Sequence, residues 1–141
     1  MTGYLLDTNC ISEAVRAQPE ARVEEWIRGI DEDLLYVSVL TFGEIRKGIA
    51  SLPESKRRER LEVWLTTDLR ARFGERILAV DYRVADRWGA LAALAKKRGR
   101  QISIIDGLLA ATAIEHGMVV ATRNEADFAA IDCAVINPWK A

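Results

Sequence analysis

The chain has one histidine and two cysteines in 141 residues, and none of the three is near another. That excludes a histidine pair for general acid–base work and a zinc cluster built from Cys and His. Cys10 and Cys133 form neither a CxxC pair nor a disulfide framework, which fits a reducing compartment. Charge of one sign is also lacking. Lys and Arg number 20 against 21 Asp and Glu, so the net charge carries no global attraction to nucleic acid or membrane, and any polyanion must be met locally. No apolar run approaches a membrane span, and the segment from Met1 to Asp7 has no basic region followed by a long apolar one. The chain therefore reads as soluble and cytoplasmic. Repeats, low-complexity tracts and linkers are absent too, and the length predicts one compact domain over residues 1–141.

Short apolar runs alternate with helical periodicity. Tyr4-Leu-Leu-Asp7, Leu34 to Leu40, Ile77 to Val80, Met118 to Ala121 and Ala134 to Ile136 read as strands. Between them fall a helix after Asp7 and a second one opened by Pro19, with Val23, Trp26, Ile27 and Ile30 at helical spacing. Further helices are predicted from Thr41, from Glu54 to Arg72 before Gly74, from Tyr82 to Arg98 before Gly99, and from Ile104 to Gly117. This alternation predicts an α/β fold, a three-layer α/β/α sandwich around a mainly parallel sheet.

Oxygen chemistry is what remains. Asp7, Glu44, Asp106 and Asp127 each follow an apolar run or open a helix-like segment. Helix capping explains each one singly: Thr41-Phe-Gly-Glu44 and Ser103-Ile-Ile-Asp106 fit the capping box, and Asn124-Glu-Ala-Asp127 is a looser version. The joint pattern argues otherwise, because parallel strands deliver Asp7 and Asp127 to the edge where α/β folds bind ligands. Two ionised carboxylates about 5 Å apart repel by roughly 3 kcal/mol at an effective dielectric of about 20, so a cation or a proton must relieve such a cluster. Hard oxygen ligands that leave room for water favour magnesium or manganese. Such an ion could bind a phosphate oxygen and lower the pKa of a bound water, the equipment for phosphodiester hydrolysis.

Thr8, Asn9, Thr122 and Asn124 lie beside the acids and can orient water or carboxylates, or serve as turn residues. Arg46 and Arg123 neighbour the acids and suit either phosphate or a salt bridge to them. His116 before Gly117 suits a helix end rather than catalysis. Trp26, Trp64 and Trp88 suit core or interface.

Leu5-Leu-Asp-Thr-Asn9, Phe42-Gly-Glu-Ile-Arg-Lys-Gly48, Asp106-Gly-Leu-Leu-Ala-Ala-Thr112 and Ala121-Thr-Arg-Asn-Glu-Ala-Asp-Phe128 together resemble the PIN-domain ribonuclease toxins of the VapC and FitB type. The likeness runs in the family's order from Asp7 to the Asn137-Pro-Trp139 ending. It implies a magnesium- or manganese-dependent endoribonuclease with Asp7, Glu44 and Asp106 as core acids and Asp127 as a fourth. It also implies 5′-phosphate products, a homodimer, and a VapB-like antitoxin that places a basic side chain among the acids. One departure is Gly107, where a better helix former is expected. Two other readings stand beside this one. A receiver-type phosphotransfer domain expects adjacent acids after the first strand and a lysine after a late one, where this chain has Asp7-Thr-Asn and Thr122-Arg-Asn. A non-catalytic regulatory binding partner would use the acids as caps alone.

Overall fold

A computed structural model describes residues 2–141. Five strands, β1 (Tyr4–Leu6), β2 (Leu35–Ser38), β3 (Ile77–Leu78), β4 (Val119–Ala121) and β5 (Val135–Ile136), form one sheet in the order β3-β2-β1-β4-β5. Every pairing is parallel, with Leu5 opposite both Tyr36 and Val120. Because successive side chains of a strand point to opposite faces, β1 feeds two cores. Leu6 packs with Leu35, Val37 and Ala121 beneath α1 (Thr8–Glu13), α2 (Ala21–Gly29), α3 (Val39–Ala50), α4 (Lys56–Val63) and α5 (Arg70–Phe73). Leu5 packs with Val120 beneath α6 (Tyr82–Lys97), α7 (Ile104–Glu115) and α8 (Glu125–Ala129). The result is a three-layer α/β/α sandwich whose sheet is wholly parallel.

The chain winds outward through β1, β2 and β3 with its helices on one face, then returns to the centre so that β4 lies on the other side of β1. The carboxyl ends of β1 and β4 therefore flank the point where the winding reverses, where the crossovers diverge and leave a crevice.

Several boundaries differ from expectation for local reasons. Strand β2 ends at Ser38, whose hydroxyl accepts from the Leu40 amide at 3.0 Å and caps α3. Thr41, expected as that cap, lies inside the first turn with its side chain fully buried. Pro19 precedes Glu20, the N-cap of α2, instead of entering the first turn. The helical stretch from Lys56 to Phe73 is continuous but contains a π-turn from Trp64 to Leu69, which brings Leu65 and Leu69 into the core. Gly99 and Gly117 follow α6 and α7 at φ of +68° and +65°, the left-handed conformation that ends helices.

Gly107 is explained by close approach. A Cβ there would sit 2.8 Å from Cδ1 and 2.9 Å from Nε1 of Trp88, so the missing side chain lets α6 lay its indole against the first turn of α7. Gly107→Ala gains about 1 kcal/mol of helix propensity but must displace a rigid ring at about 1–3 kcal/mol. The expected outcome is a lower melting temperature with altered tryptophan emission; thermal denaturation followed by fluorescence checks it, and a raised melting temperature would contradict the packing account.

Candidate active site at the winding reversal

Asp7 is the residue that leaves β1. Its amide donates to the Ala121 carbonyl at 2.9 Å, continuing the β1–β4 ladder by one bond, while its carboxylate turns into the crevice as the N-cap of α1. Oδ1 accepts from the Thr8 amide at 2.7 Å, and Oδ2 accepts from the Thr122 hydroxyl at 2.8 Å. Asn9 Nδ2 lies 3.5 Å from both Asp7 Oδ2 and Thr122 Oγ1. Thr122, the residue that leaves β4, is fully buried, and its oxygen also accepts from the Asn124 amide at 3.0 Å. The ends of the two strands are thus joined by side chains as well as by the sheet.

Glu44 enters from the other wall, a turn and a half into α3. The Thr8 hydroxyl donates to Glu44 Oε1 at 2.5 Å and lies 3.2 Å from the Thr41 hydroxyl. Asp106 stands in the first turn of α7, where the Ser103 hydroxyl accepts from its amide at 3.1 Å. Asp127 is exposed in the first turn of α8, its amide donating to the Asn124 carbonyl at 3.2 Å. Asn124 starts α8 without a side-chain capping bond, so the looser box is not formed. All eight polar residues singled out in the sequence lie on strand ends or first helical turns around one crevice, except Glu44, which reaches it from mid-helix. Thr41 was read only as a cap; no signal in the sequence distinguishes a buried site hydroxyl from a helix-start threonine.

The carboxylates feel one another. Asp7 is 5% exposed, and burial above all, with smaller contributions from Asp106 and Glu44, pushes its pKa to about 6 against the opposing bonds from Thr122 and Thr8. Asp106 is also raised, first by burial, then by Asp127 and Glu44, with the Ser103 hydroxyl acting the other way. None of the four pairs with a basic side chain among the described residues. Arg123 instead lies over the Trp139 ring, and Arg58, Arg72, Arg76 and Arg98 pair with Glu62, Glu32 and Asp132 elsewhere. Carboxylates with no cation beside them, two of which, Asp7 and Asp106, are pushed toward the protonated form by burial and by acidic neighbours, have the hard-oxygen character that suits magnesium or manganese. Among the described residues no three acidic, His or Cys side chains close tightly around one point.

A groove of about 180 Å³ runs from Thr8 and Glu44 past Ile49 to Leu61 and Trp64. It continues into one of about 530 Å³ between the end of α1 and α4, lined by Val15, Arg57, Arg60 and Trp64.

A PIN domain profile matches residues 4–132. The chain belongs to the PIN-domain family. It is 41% identical to toxin FitB of Neisseria gonorrhoeae over 135 residues, covering 96% of this chain and 97% of that one. Identity to the VapC ribonuclease Y4jK of Sinorhizobium fredii is 38% over 136 residues, covering 96% and 97%. The crystal structure of FitAcB from Neisseria gonorrhoeae superposes with a TM-score of 0.93 at 40% identity, covering 98% of this chain and 99% of that one. This PIN domain is thus similar to toxins of the FitB and VapC type.

Folding buries Asp7 in a form that prefers the proton, so the folded state binds more protons than the unfolded one between about pH 4 and pH 6. Stability therefore falls as pH rises through that window, by about 3 kcal/mol in all for a pKa moving from 3.8 to about 6. In chelator, Asp7→Asn should melt higher than the native chain at pH 7, with the advantage shrinking toward pH 4. Calorimetry across that range checks it; a constant difference would remove Asp7 as the source.

Proposed function

We propose that this PIN domain, with residues 1–141 acting as one unit, is a metal-dependent endoribonuclease and the toxin of a type II toxin–antitoxin pair, working in the cytoplasm. The observation that carries the reading is four cation-free carboxylates facing one crevice at the winding reversal, in a chain closely similar to a FitB toxin and a VapC ribonuclease. Among the described residues no helix is long and apolar enough to cross a membrane.

Asp7, Glu44 and Asp106 would hold a magnesium or manganese ion, with Asp127 at the outer edge. Once bound, the ion would neutralise a phosphodiester oxygen and lower the pKa of a water. The chain's own part is orientation. The Thr8 amide and Thr122 hydroxyl fix both oxygens of Asp7, and the Thr8 hydroxyl fixes Glu44, so two walls of the crevice are set before substrate arrives. Asn9 and Asn124 hold the Thr122 corner. A carboxylate not engaged by the ion accepts the proton lost by the attacking water.

The purified native chain should cut end-labelled RNA in magnesium or manganese and stop in chelator. Asp106→Asn, still folded by circular dichroism, should lose at least about a hundredfold in rate, as expected for removal of a group that organises transition-state charge. Cutting that persists in chelator, or equally in Asp106→Asn, would end the metal-nuclease reading.

The same unpaired acids suit a VapB-like antitoxin presenting a basic side chain, its apolar segment lying in the groove from Glu44 to Trp64. Exposed Val63 and Tyr82 offer apolar surface for a homodimer. Co-expression with the product of the adjacent reading frame should give a stable complex, with the toxin at twice the chain mass by light scattering. A monomer that captures no adjacent product would sink both assignments.

A further inference from the structure

Arg123 follows Thr122 on the loop leaving β4, so it stands at the rim of the acidic crevice, yet it is exposed and makes no ion pair among the described residues. Its backbone is pinned on both sides. The amide donates to Asn9 Oδ1 at 3.4 Å, and the carbonyl accepts from the buried Asn137 side chain at 3.4 Å. Its guanidinium lies over the Trp139 ring, 5.4 Å from the centroid. Trp139 is itself fixed: its amide donates to Asn137 Oδ1 at 2.9 Å, its carbonyl accepts from Arg22 Nη1 at 3.3 Å, and its ring packs against the core that Leu6 enters. Arg22 is exposed and lies on the first turn of α2.

A guanidinium stacked on an indole keeps its charge and its in-plane donors while losing the freedom to fold back onto nearby carboxylates. Two arginines meeting at one fixed tryptophan, beside a crevice of opposite sign, form a place for an anion that extends out of that crevice. A strand of RNA supplies such an anion, since its phosphates continue on either side of the one at the acids.

We propose that Arg123 and Arg22, ordered by Trp139 and Asn137, form a subsite for a backbone phosphate of single-stranded RNA flanking the phosphodiester at the acids. This rests on the ribonuclease reading. Arg123 supplies bidentate hydrogen bonds to the phosphate, Arg22 adds charge, and Trp139 and Asn137 act as positioning residues. The site recognises backbone, not base, so it sets affinity and the direction in which the strand lies.

The test uses the full chain carrying Asp106→Asn to stop cleavage. Binding of a fluorescein-labelled oligouridylate is followed by anisotropy in magnesium buffer over a range of potassium chloride. Adding Arg123→Gln should weaken binding about tenfold and reduce the slope of log affinity against log salt by about 0.7, the loss of one phosphate contact on a single strand. Arg22→Gln should reduce the slope similarly with a smaller loss, whereas Arg28→Gln, farther along α2, should change neither. Arg123→Lys should keep the slope but recover only part of the affinity. Binding with an unchanged slope in both Arg123→Gln and Arg22→Gln overturns the subsite while leaving the ribonuclease reading intact. Absence of any RNA binding by the Asp106→Asn chain overturns the subsite, and overturns the ribonuclease reading as well if the native chain cuts no RNA in magnesium. Loss of binding to a polyglutamate probe, with RNA binding unchanged, overturns the subsite in favour of an acidic protein partner.

Discussion

The hydrogen bond from the Thr122 hydroxyl to the Asp7 carboxylate, with the ladder bond from the Asp7 amide to Ala121, is the joint on which the rest depends. It sits where the winding of the sheet reverses. Strands β1 and β4 must be neighbours, in register and ending together, for a residue just past one to meet a residue just past the other. That register follows from the two cores: Leu5 and Val120 face one helical layer, while Leu6 and Ala121 face the other. A slip by one residue would send each apolar side chain to the wrong layer and swing Asp7 out of the crevice. The packing that makes the sandwich therefore also aims the acid.

Such a joint comes with electrostatic strain. Three hydrogen-bonding groups, the Thr8 amide, the Thr122 hydroxyl and the Asn9 amide, surround the Asp7 carboxylate, yet burial outweighs them and its pKa still rises. A core of this size could relieve the strain with one arginine, and the chain is rich in arginine. They are engaged elsewhere: Arg72 and Arg76 both hold Glu32, Arg98 holds Asp132, and Arg123 is drawn onto Trp139. Leaving carboxylates without a cation works against stability, and the arrangement is intelligible if a charge from outside the chain completes it.

Order, face and type of the main elements were legible because hydrophobic periodicity records which layer each residue faces. The five strands and a mainly parallel sheet are readable from runs such as Tyr4-Leu-Leu and Val119-Val-Ala, whose central residues are buried, and the structure makes every pairing parallel. Ends were less legible where two residues compete for one structural task. Ser38 and Thr41 are both good caps, and Ser38 won because Thr41 faces a buried wall. The π-turn at Trp64–Leu69 left no mark either, since it shifts packing phase without changing composition. The Gly107 anomaly was visible as an unfavourable residue, but its reason, the Trp88 indole, belongs to another helix. Likewise the grouping of Asn9, Arg123, Asn137 and Trp139 depends on where the chain's end returns, which no local pattern encodes.

Capping and chemistry, rival explanations of the acids in sequence, separate once the donors are assigned. Asp7 does cap α1, so for it the two roles coexist. For Glu44 capping fails, because the start of α3 is served by Ser38 and Glu44 lies beyond the first turn. For Asp127 it fails as well: the Asn124 amide that a capping box would offer is already taken by the Thr122 hydroxyl. Asp106 sits correctly for a box, but the bond formed there is the forward one, from its amide to Ser103. A receiver-type site fares no better, since the residue after β4 is Thr122, followed by an arginine lying over the Trp139 ring, where that chemistry needs a lysine. What unites the four is the crevice they face, where the fold brings together two strand ends, β1 and β4, and three helix starts, α1, α7 and α8.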